Sequence, residues 1–411
     1  MKTISRVRLA ALAAILSAQA QGAHAQSAAQ SQWAGAQTPV ACTLTVTGQN
    51  NSDVDVSAVT NAVTSGALSG AVTVCLTGTF DFGAGPPPAG SVLIAPAPAV
   101  TSLRIVGLTD RGRRATIRNG AQPLTSPAPP TVARLSIENL RFENPAFTAI
   151  LIAQVVDSLN ISGVQIAGVQ SLFFPQFNSS FHSGIIVSSL LAPIHGEITI
   201  ADNVIDGGTY GPSDATGVNA GISLAGAVAG LSQQVFDAHS RVTDNRLVNW
   251  SAGGILATGI GDAVIERNKI DPGAFANTAS SCFGAQSGIT LAGVSDSVVR
   301  DNEINLVRSL TANGDPPVCT AGIIVRGTLL GAADGNILYR NSVRGTGSYA
   351  LAVGVSSAAA ETDNFFALNP TWGFTPQKAM LFLGPAATGN AFIGYFPSVE
   401  GNVDGNSIIH P

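Results

Sequence analysis

The stretch AVIERNKIDPG, Ala263 to Gly273, contains two short runs of strand-forming residues separated by Asn268. Asparagine is depleted in β-strands, so its position between Ile265 and Ile270 predicts a bend between two strands. The same arrangement recurs along the chain, which indicates that Asn268 belongs to a repeating unit.

The repeat is marked by an asparagine, replaced once by glycine. The marker residues are Asn119, Asn139, Gly163, Asn203, Asn245, Asn268, Asn302, Asn341, Asn364 and Asn390. The shortest intervals are about 20 to 25 residues, and the longer ones leave room for inserted loops. A Gly-Ile pair opens a further strand in five repeats, as in SGIIVSS from Ser183 and AGIIVRG from Ala321. Three short strands per repeat predict a right-handed parallel β-helix, a solenoid of about ten coils.

The alternative all-β architecture is a sandwich. Sandwiches are built from antiparallel hairpins and do not need one residue type at one place in every turn. In a parallel helix the coils stack about 4.8 Å apart, so inward asparagines can bond to those above and below. The repeated asparagine therefore favours the parallel helix.

The N-terminal residues have the pattern of an export signal. Lys2, Arg6 and Arg8 precede an apolar run from Leu9 to Ala18, and Ala23-His24-Ala25 matches a cleavage motif. We therefore expect a signal peptide over residues 1–25, a disordered lead-in over 26–40 and a β-helix domain over 41–411. A membrane anchor is disfavoured because the apolar run is too short to cross a bilayer. The expected location is secreted or periplasmic, without membrane insertion of the mature chain.

The balance of charge argues against nucleic acid as a partner. The chain has 20 basic and 25 acidic residues, and the signal peptide removes three basic ones, which leaves 17 minus 25, or −8. Nucleic-acid binding needs clustered lysine and arginine, which this composition does not favour. We expect a monomer without a cofactor.

The four cysteines predict two disulfides in an exported protein, Cys42 with Cys75 and Cys282 with Cys319. Three connectivities remain open, and this one is consistent with the repeat. A metal site is disfavoured because no CxxC or clustered Cys/His spacing occurs.

Charged residues precede the marker in six coils: Asp202, Asp244, Arg267, Asp301, Arg340 and Asp363. Both arginines fall between aspartates of neighbouring coils. A surface row of ion pairs is favoured over a charged binding stripe.

An amphipathic helix is predicted before the repeats, over Ser52–Gly66, with Ala58, Val59, Ala62 and Val63 on one face. It leads into AVTVCLTGTFDF and then LRIVGL, ATIRNG and ARLSIENLRFEN. This succession resembles the opening of the pectin-lyase-like superfamily of right-handed parallel β-helices, with PbH1-type repeats. The resemblance covers nearly all of the chain after about Ala41 and implies the fold more specifically than the activity.

In that superfamily the substrate groove usually lies along the first strand of each coil. Alternation directs Ile186, Ser223, Leu256, Thr290 and Ile324 outward here, and no carboxylate occurs on this row. The motifs of pectate lyases, galacturonases and alginate epimerases are absent, and Ile194-His195-Gly196 matches only half of a Gly-His-Gly motif.

Ionisable and aromatic residues collect instead in the loops that enter the first strands. Arg326 is the best match to a groove base, because it projects outward beside the Asp315 loop, and His182 lies in a loop that enters a first strand, so the catalytic candidates are Arg326, Asp315 and His182. The alternatives are that Arg326 pairs or is solvated and that His182 packs its loop. The substrate-binding candidates are Phe177, Asp206, Tyr210, Asp214 and Trp250, since flat rings stack on apolar sugar faces. The alternative is that the rings pack the loops onto the helix wall.

Two functions remain open at this point. In the first, the protein binds or degrades an extracellular or cell-envelope polysaccharide; as an enzyme it would be a polysaccharide lyase or a glycoside hydrolase. In the second, it is a non-catalytic structural or surface-interaction solenoid of the cell envelope.

Overall fold

The computed structural model describes residues 40–84, 90–126, 132–169, 172–174, 179–189, 193–208, 219–226, 236–250, 253–271, 287–306, 320–328, 331–354, 361–371, 373–376 and 378–410. The chain divides into the units Met1–Ala41 and Cys42–Pro411. The predicted signal peptide and all but one residue of the predicted lead-in lie outside the described residues. The second unit contains every helix and strand discussed below.

The first strands of the coils form one long sheet. It consists, in order, of Val92–Leu93, Leu124–Ser126, Thr148–Ile152, Ser179–Ser188, Asn219–Ala225, Gly253–Thr258, Ser287–Ala292, Ala321–Arg326, Tyr349–Val353, Leu381–Leu383 and Val399–Gly401. Leu172–Phe174 pairs with Ser179–Ser188 in antiparallel orientation.

The second and third strands share a sheet on the other side of the core. The second strands are Leu44–Gln49, Gly70–Asp81, Val100–Gly107, Arg134–Glu138, Ser158–Ser162, Glu197–Ala201, His239–Thr243, Ala263–Glu266, Val298–Arg300, Ile337–Tyr339, Phe365–Ala367, Ala391–Ile393 and Ser407–Ile409. The third strands are Thr116–Arg118, Arg141–Glu143, Gln165–Ala167, Val204–Asp206, Arg246–Val248, Lys269–Asp271, Glu303–Asn305, Ser342–Gly347 and Phe374–Pro376. Gly70–Asp81 is long enough to reach the third strands as well, since its end pairs with Thr116–Arg118.

Two smaller sheets are also present in the described residues. Ala333–Asp334, Glu361–Thr362 and Ala387–Thr388 form a parallel three-stranded sheet at the bend before the second strands. Thr109–Asp110 and Arg113–Arg114 form an antiparallel hairpin.

The register of the parallel strands confirms the predicted fold, a right-handed parallel β-helix. Equivalent residues of successive coils pair directly, as Ile222 does with Ile255 and Ile255 with Ile289. These isoleucines point inward and are fully buried. Stacked aliphatic side chains from every coil merge into one continuous apolar core. The number of coils stays a prediction.

The N-terminal cap is the helix Ser52–Thr64, as predicted. Asn51 caps its first turn by accepting a hydrogen bond from the Asp53 backbone at 3.0 Å. Asp55 on the buried face accepts from the backbone N–H groups of Gln49, Asn51 and Asp81. One carboxylate therefore joins the helix to both adjoining strands. The Cys42–Cys75 disulfide is confirmed, and its Cα atoms lie 5.7 Å apart.

The predicted asparagine ladder is present at the bend between second and third strands. Each side-chain amide donates to the Oδ1 of the next asparagine at 2.8 to 3.0 Å, and that Oδ1 also accepts a backbone N–H. The members are Asn203, Asn245, Asn268, Asn302, Asn341 and Asn369. All but Asn369 are at most 1% exposed. The ladder thus satisfies backbone groups that the bend removes from the strands.

The positions of several predicted markers were wrong. Asn364 and Asn390 belong to a second ladder at the bend before the second strands, which runs from Asn336 to Asn406 with amide contacts of 2.8 to 2.9 Å. Asn139 and Gly163 precede the inward position, which Leu140 and Val164 occupy as apolar residues. Asn119 follows a third strand instead. In these places the asparagine or glycine supplies a left-handed backbone conformation, which both residues tolerate.

The residues preceding the first ladder are all left-handed, with φ between 51° and 57°. The row is Asp202, Asp244, Arg267, Asp301, Arg340 and Leu368. The predicted member Asp363 lies elsewhere, because it precedes Asn364 of the second ladder. The predicted ion pairs are present: Arg267 contacts Asp244 at 2.8 Å, and Arg340 contacts Asp301 at 2.7 Å.

A buried carboxylate reinforces the ion-pair row. Glu266 points outward from its strand but is fully buried. Arg241 contacts it at 2.8 Å and Arg267 at 2.9 Å, and Arg300 also pairs with it. Three cations from three coils therefore neutralise one carboxylate, which offsets the cost of its desolvation.

Candidate functional site

The outward row of the first strands is only partly accessible to a ligand. The register places Ser223, Leu256, Thr290 and Ile324 in one row, as predicted. Ser223, Thr290 and Ile324 are nevertheless buried. Further along, Ile324 joins an outward apolar cluster with Ala321, Tyr349, Ala352 and Ala379. Leu256 and Ile186, which pairs with Ser223 in the same row, keep part of their side chains exposed. Burial therefore closes the row at Ser223, Thr290 and Ile324 but not along its whole length, and the first-strand groove stays a prediction.

Most of the predicted loop residues fall outside the described residues. These are Asp315, Phe177, Tyr210 and Asp214, together with the predicted Cys282–Cys319 pair. His182 lies within a described strand, but its side chain is not among the described side chains. Their roles stay predictions.

Two predicted substrate-binding residues, Trp250 and Asp206, lie within the described part of the fold. Trp250 is 1% exposed and belongs to the apolar core. A ring with so little exposed surface cannot stack on a sugar, which contradicts the prediction for Trp250 and supports the alternative of wall packing. Asp206 accepts hydrogen bonds from the Gly208 backbone at 2.9 Å and the Asn249 amide at 2.7 Å. Its carboxylate stabilises the bend after the third strand.

Arg326 ends its first strand and is half-buried, and burial lowers the pKa of its guanidinium. The next residue, Gly327, donates its N–H to Oε1 of Glu361 at 2.5 Å. Glu361 is fully buried beside the core alanines Ala333 and Ala387. Burial raises the pKa of Glu361 against the opposing effect of the Gly327 hydrogen bond.

A different site emerges on the third strands near the N-terminal end. The hairpin Thr109–Asp110 and Arg113–Arg114 projects between a second strand and its third strand. Arg111 and Gly112 form its two-residue turn with φ of 47° and 78°, the paired positive angles of a type I′ turn. The hairpin walls a cavity of about 490 Å³.

The cavity, called here the arginine pocket, has a strongly basic lining. It is lined by Gly78, Thr79, Asp110, Gly112, Arg113, Arg114, Thr116, Arg118, Arg141, Glu143 and Gln165. Four arginines against two carboxylates leave two positive charges in excess. The third strands supply most of the floor, because alternate residues of Thr116–Arg118 and Arg141–Glu143 point outward.

Ion pairs fix part of this lining. Glu143 bridges Arg118 at 2.9 Å and Arg141 at 2.7 Å. Arg141 also reaches the amide oxygen of Gln165 at 3.5 Å, and Arg114 donates to the Gly163 carbonyl at 2.5 Å. These contacts hold the guanidinium groups of Arg114, Arg118 and Arg141 in place without neutralising all of them.

The charges around the pocket favour the binding of an anion. Burial first, and then the nearby Arg141 cation, lower the pKa of Arg114. The pKa of Glu143 is lowered although burial opposes the change, because Arg141 and Arg118 bind its ionised form. Glu143 thus stays ionised, and the repulsion between Arg114 and Arg141 remains for a bound anion to relieve.

The sequence contains a signal for this pocket that motif reasoning missed. The segment DRGRRATIR, Asp110–Arg118, holds four of the 20 basic residues in a chain whose charged residues make up only 11%. Its Arg-Gly centre also suits a tight hairpin.

Neither a metal centre nor a membrane span is found in the part of the chain that the structure describes. There, no group of three or more His, Cys, Asp or Glu side chains is arranged to hold a metal ion. No described helix has both the length and the apolar composition needed to cross a bilayer.

No protein-family model and no curated protein matches the sequence. Solved structures of similar fold include the alginate lyase from Paenibacillus sp. str. FPU-7, at 14% identity and a TM-score of 0.43, covering 84% of this chain and 99% of that chain. The lacto-N-biosidase from Eubacterium ramulus has 12% identity and a TM-score of 0.45, with 90% and 68% covered. The tailspike of E. coli bacteriophage HK620, solved with a pentasaccharide, has 10% identity and a TM-score of 0.41, with 83% and 60% covered. These similarities concern the fold alone.

Proposed function

We propose that the protein binds an acidic polysaccharide, extracellular or of the cell envelope, through the arginine pocket. The observation that carries the proposal is the grouping of four guanidinium groups around one cavity in a chain of formal net charge −5. Guanidinium groups bind carboxylates and sulfates through paired, charge-assisted hydrogen bonds. An anionic ligand would also relieve the repulsion between Arg114 and Arg141.

The uncharged part of the lining suits a sugar. Thr79 and Gln165 add a hydroxyl and an amide to the pocket wall. Such groups can donate to and accept from sugar hydroxyls, while the arginines bind the acidic substituent. A pocket of about 490 Å³ lies within the usual range of small-molecule sites.

Binding without turnover is the favoured activity. Glycoside hydrolysis requires one carboxyl group that is protonated when it meets the leaving oxygen. In the pocket, Glu143 is held ionised by two arginines, which suits ligand positioning better than proton donation. The secreted or periplasmic location expected for the chain would place it where such polysaccharides occur.

The test is retention in affinity gels containing polygalacturonate, alginate or neutral dextran, combined with titration calorimetry. We expect retention by the acidic gels that weakens with added salt, because salt screens these exposed charges. Arg113→Gln and Arg118→Gln should each weaken binding roughly tenfold, since a hydrogen bond to a charged group contributes about 1.5–3 kcal/mol. Arg134→Gln is the matched control: it removes a cation that is 68% exposed and is not part of the pocket lining.

Three results would contradict the proposal. One is equal retention by dextran and by the acidic gels; another is loss of binding in Arg134→Gln to the same extent as in Arg113→Gln. The third is absence of any retention, which would favour the non-catalytic structural solenoid. Release of unsaturated or reducing sugar ends would show that the site also degrades its ligand.

A further inference from the structure

We infer that the ligand is a linear chain of several acidic sugars that lies along the solenoid axis over the third strands, from the arginine pocket to Arg246 and Lys269. The inference rests on the proposed function, because it extends the same ligand beyond the pocket. It assigns a second contact region to a face that family motifs do not mark.

The geometry follows from the register of the third strands. One outward row contains Thr116, Arg141, Gln165, Val204, Arg246, Lys269 and Glu303, each paired with the next. Neighbouring strands lie about 4.8 Å apart, so Arg246 is about 14 Å and Lys269 about 19 Å from Arg141 along the axis. A single sugar cannot bridge these distances, but a linear oligosaccharide can.

The charges at the far end of this row are available. Arg246 and Lys269 are both exposed, and neither forms an ion pair with a described residue. The arginines around them differ, because Arg241, Arg267 and Arg300 all pair with Glu266. Two like charges directly opposite each other on adjacent strands repel, so an anion bound between them would be favourable.

The surface between the two basic ends permits a sugar chain to pass. Gln165 is half-buried and Val204 is 40% exposed, which gives an amide and a small apolar side chain rather than a carboxylate. The neighbouring outward row contains Asp206 and Asp271, and Asp206 already accepts two hydrogen bonds. These acids border the row on one side, and Glu303 ends it, so the favourable path for a polyanion is narrow and axial.

The experiment compares digalacturonate, which can occupy only the pocket, with octagalacturonate, which is long enough to reach Lys269. Affinities are measured by titration calorimetry for the wild type and for the double variant Arg246→Gln/Lys269→Gln. We expect the wild type to bind the octamer at least tenfold more tightly than the dimer. The double variant should lose most of that advantage while its affinity for the dimer stays unchanged.

The outcomes separate this inference from the proposed function. If the dimer and the octamer both fail to bind, the pocket proposal fails and the extension fails with it. If both bind but the double variant keeps the wild-type preference for the octamer, only the axial path is overturned. Arg134→Gln serves again as the control for a lost surface cation. Equal affinity for a single-stranded oligonucleotide of similar charge would overturn the assignment of a sugar ligand.

Discussion

Glu361 is a fully buried acid with a raised pKa, and its titration should be visible in stability. It lies among core alanines, and burial raises its pKa. The unfolded carboxyl therefore ionises first as pH rises, so the free energy of unfolding falls from the ordinary carboxyl pKa up to the raised folded-state pKa. Below that pH window the Glu361 carboxyl is protonated in both the folded and the unfolded chain, so burying it carries no cost of ionisation.

Glu361→Gln should remove this pH dependence, because glutamine keeps the shape and the acceptor for the Gly327 N–H but does not ionise. We expect a higher Tm than wild type at pH 8, by about 1–3 °C, and no difference at pH 4. Scanning calorimetry at both pH values measures the change. A difference of equal size at pH 4 and pH 8 would show that the effect is steric rather than due to titration.

Asn302 tests the first ladder at the level of one side chain. It accepts from both the backbone and the side chain of Asn268, and it donates to Asn341 and to the Ile265 carbonyl. Asn302→Ala leaves these buried partners unsatisfied and should cost about 3 kcal/mol of unfolding free energy. Asn160→Ala on the outer face removes bonds to Ser136 and Ser162 and should cost only about 0.5 kcal/mol. Denaturant unfolding compares them, and similar losses would contradict a special role for the ladder.

At the scale of elements, the Arg111–Gly112 hairpin turn controls the shape of the arginine pocket. A Cβ added to Gly112 would meet no described residue beyond its chain neighbours within 4 Å, but its φ of 78° disfavours any L side chain. Gly112→Val should therefore disturb the turn by about 1–2 kcal/mol and weaken binding of digalacturonate severalfold. Gly66→Ala is the control, since it also meets no neighbour and its φ is not positive. Unchanged affinity in Gly112→Val would mean that the hairpin does not shape the ligand site.

The bends show why some elements are predictable from sequence and others are not. Asn268 and its neighbours repeat because an inward amide satisfies the same backbone groups in each coil from Asn203 to Asn369, so their pattern is visible in the sequence. Asn139 and Asn364 carry the same letter for different reasons: one adopts a left-handed backbone, and the other belongs to a second ladder. A spacing count cannot separate these uses, because inserted loops change the interval between coils. Only the strand register distinguishes them.

At the scale of the whole molecule, the fold could be predicted and the candidate site could not. The fold depends on local patterns repeated many times, so errors such as the placement of Asn390 do not affect it. The arginine pocket combines a hairpin with side chains from three coils, including Arg118, Arg141 and Gln165. These side chains lie close together because their coils stack on one another, although they are far apart in the sequence. Trp250 shows the opposite error: its place next to a loop in the sequence predicts a ligand contact, but its ring is buried in the core.

The Cys42–Cys75 disulfide joins the segment just before Leu44–Gln49 to the strand Gly70–Asp81, and its removal tests how the whole molecule unfolds. Closing a 33-residue segment should stabilise the folded chain by about 3–4 kcal/mol in the loop-entropy description. In a solenoid each coil contacts mainly its neighbours, so a loss at one end should act locally first. We therefore expect Cys42→Ala/Cys75→Ala to open the cap before the central coils.

Hydrogen exchange followed by mass spectrometry measures this directly. In the double variant, amides of the helix Ser52–Thr64 and the strand Leu44–Gln49 should exchange at least tenfold faster than in the wild type. Amides of the central strand Gly253–Thr258 should keep their wild-type rate, because several intact coils separate them from the cap. Cys42→Ala alone is a useful comparison, since it also breaks the bond but leaves Cys75 in its buried position. Equal acceleration in the cap and in the central strand would show that the solenoid unfolds as one cooperative unit, and the disulfide would then stabilise every coil rather than the first ones.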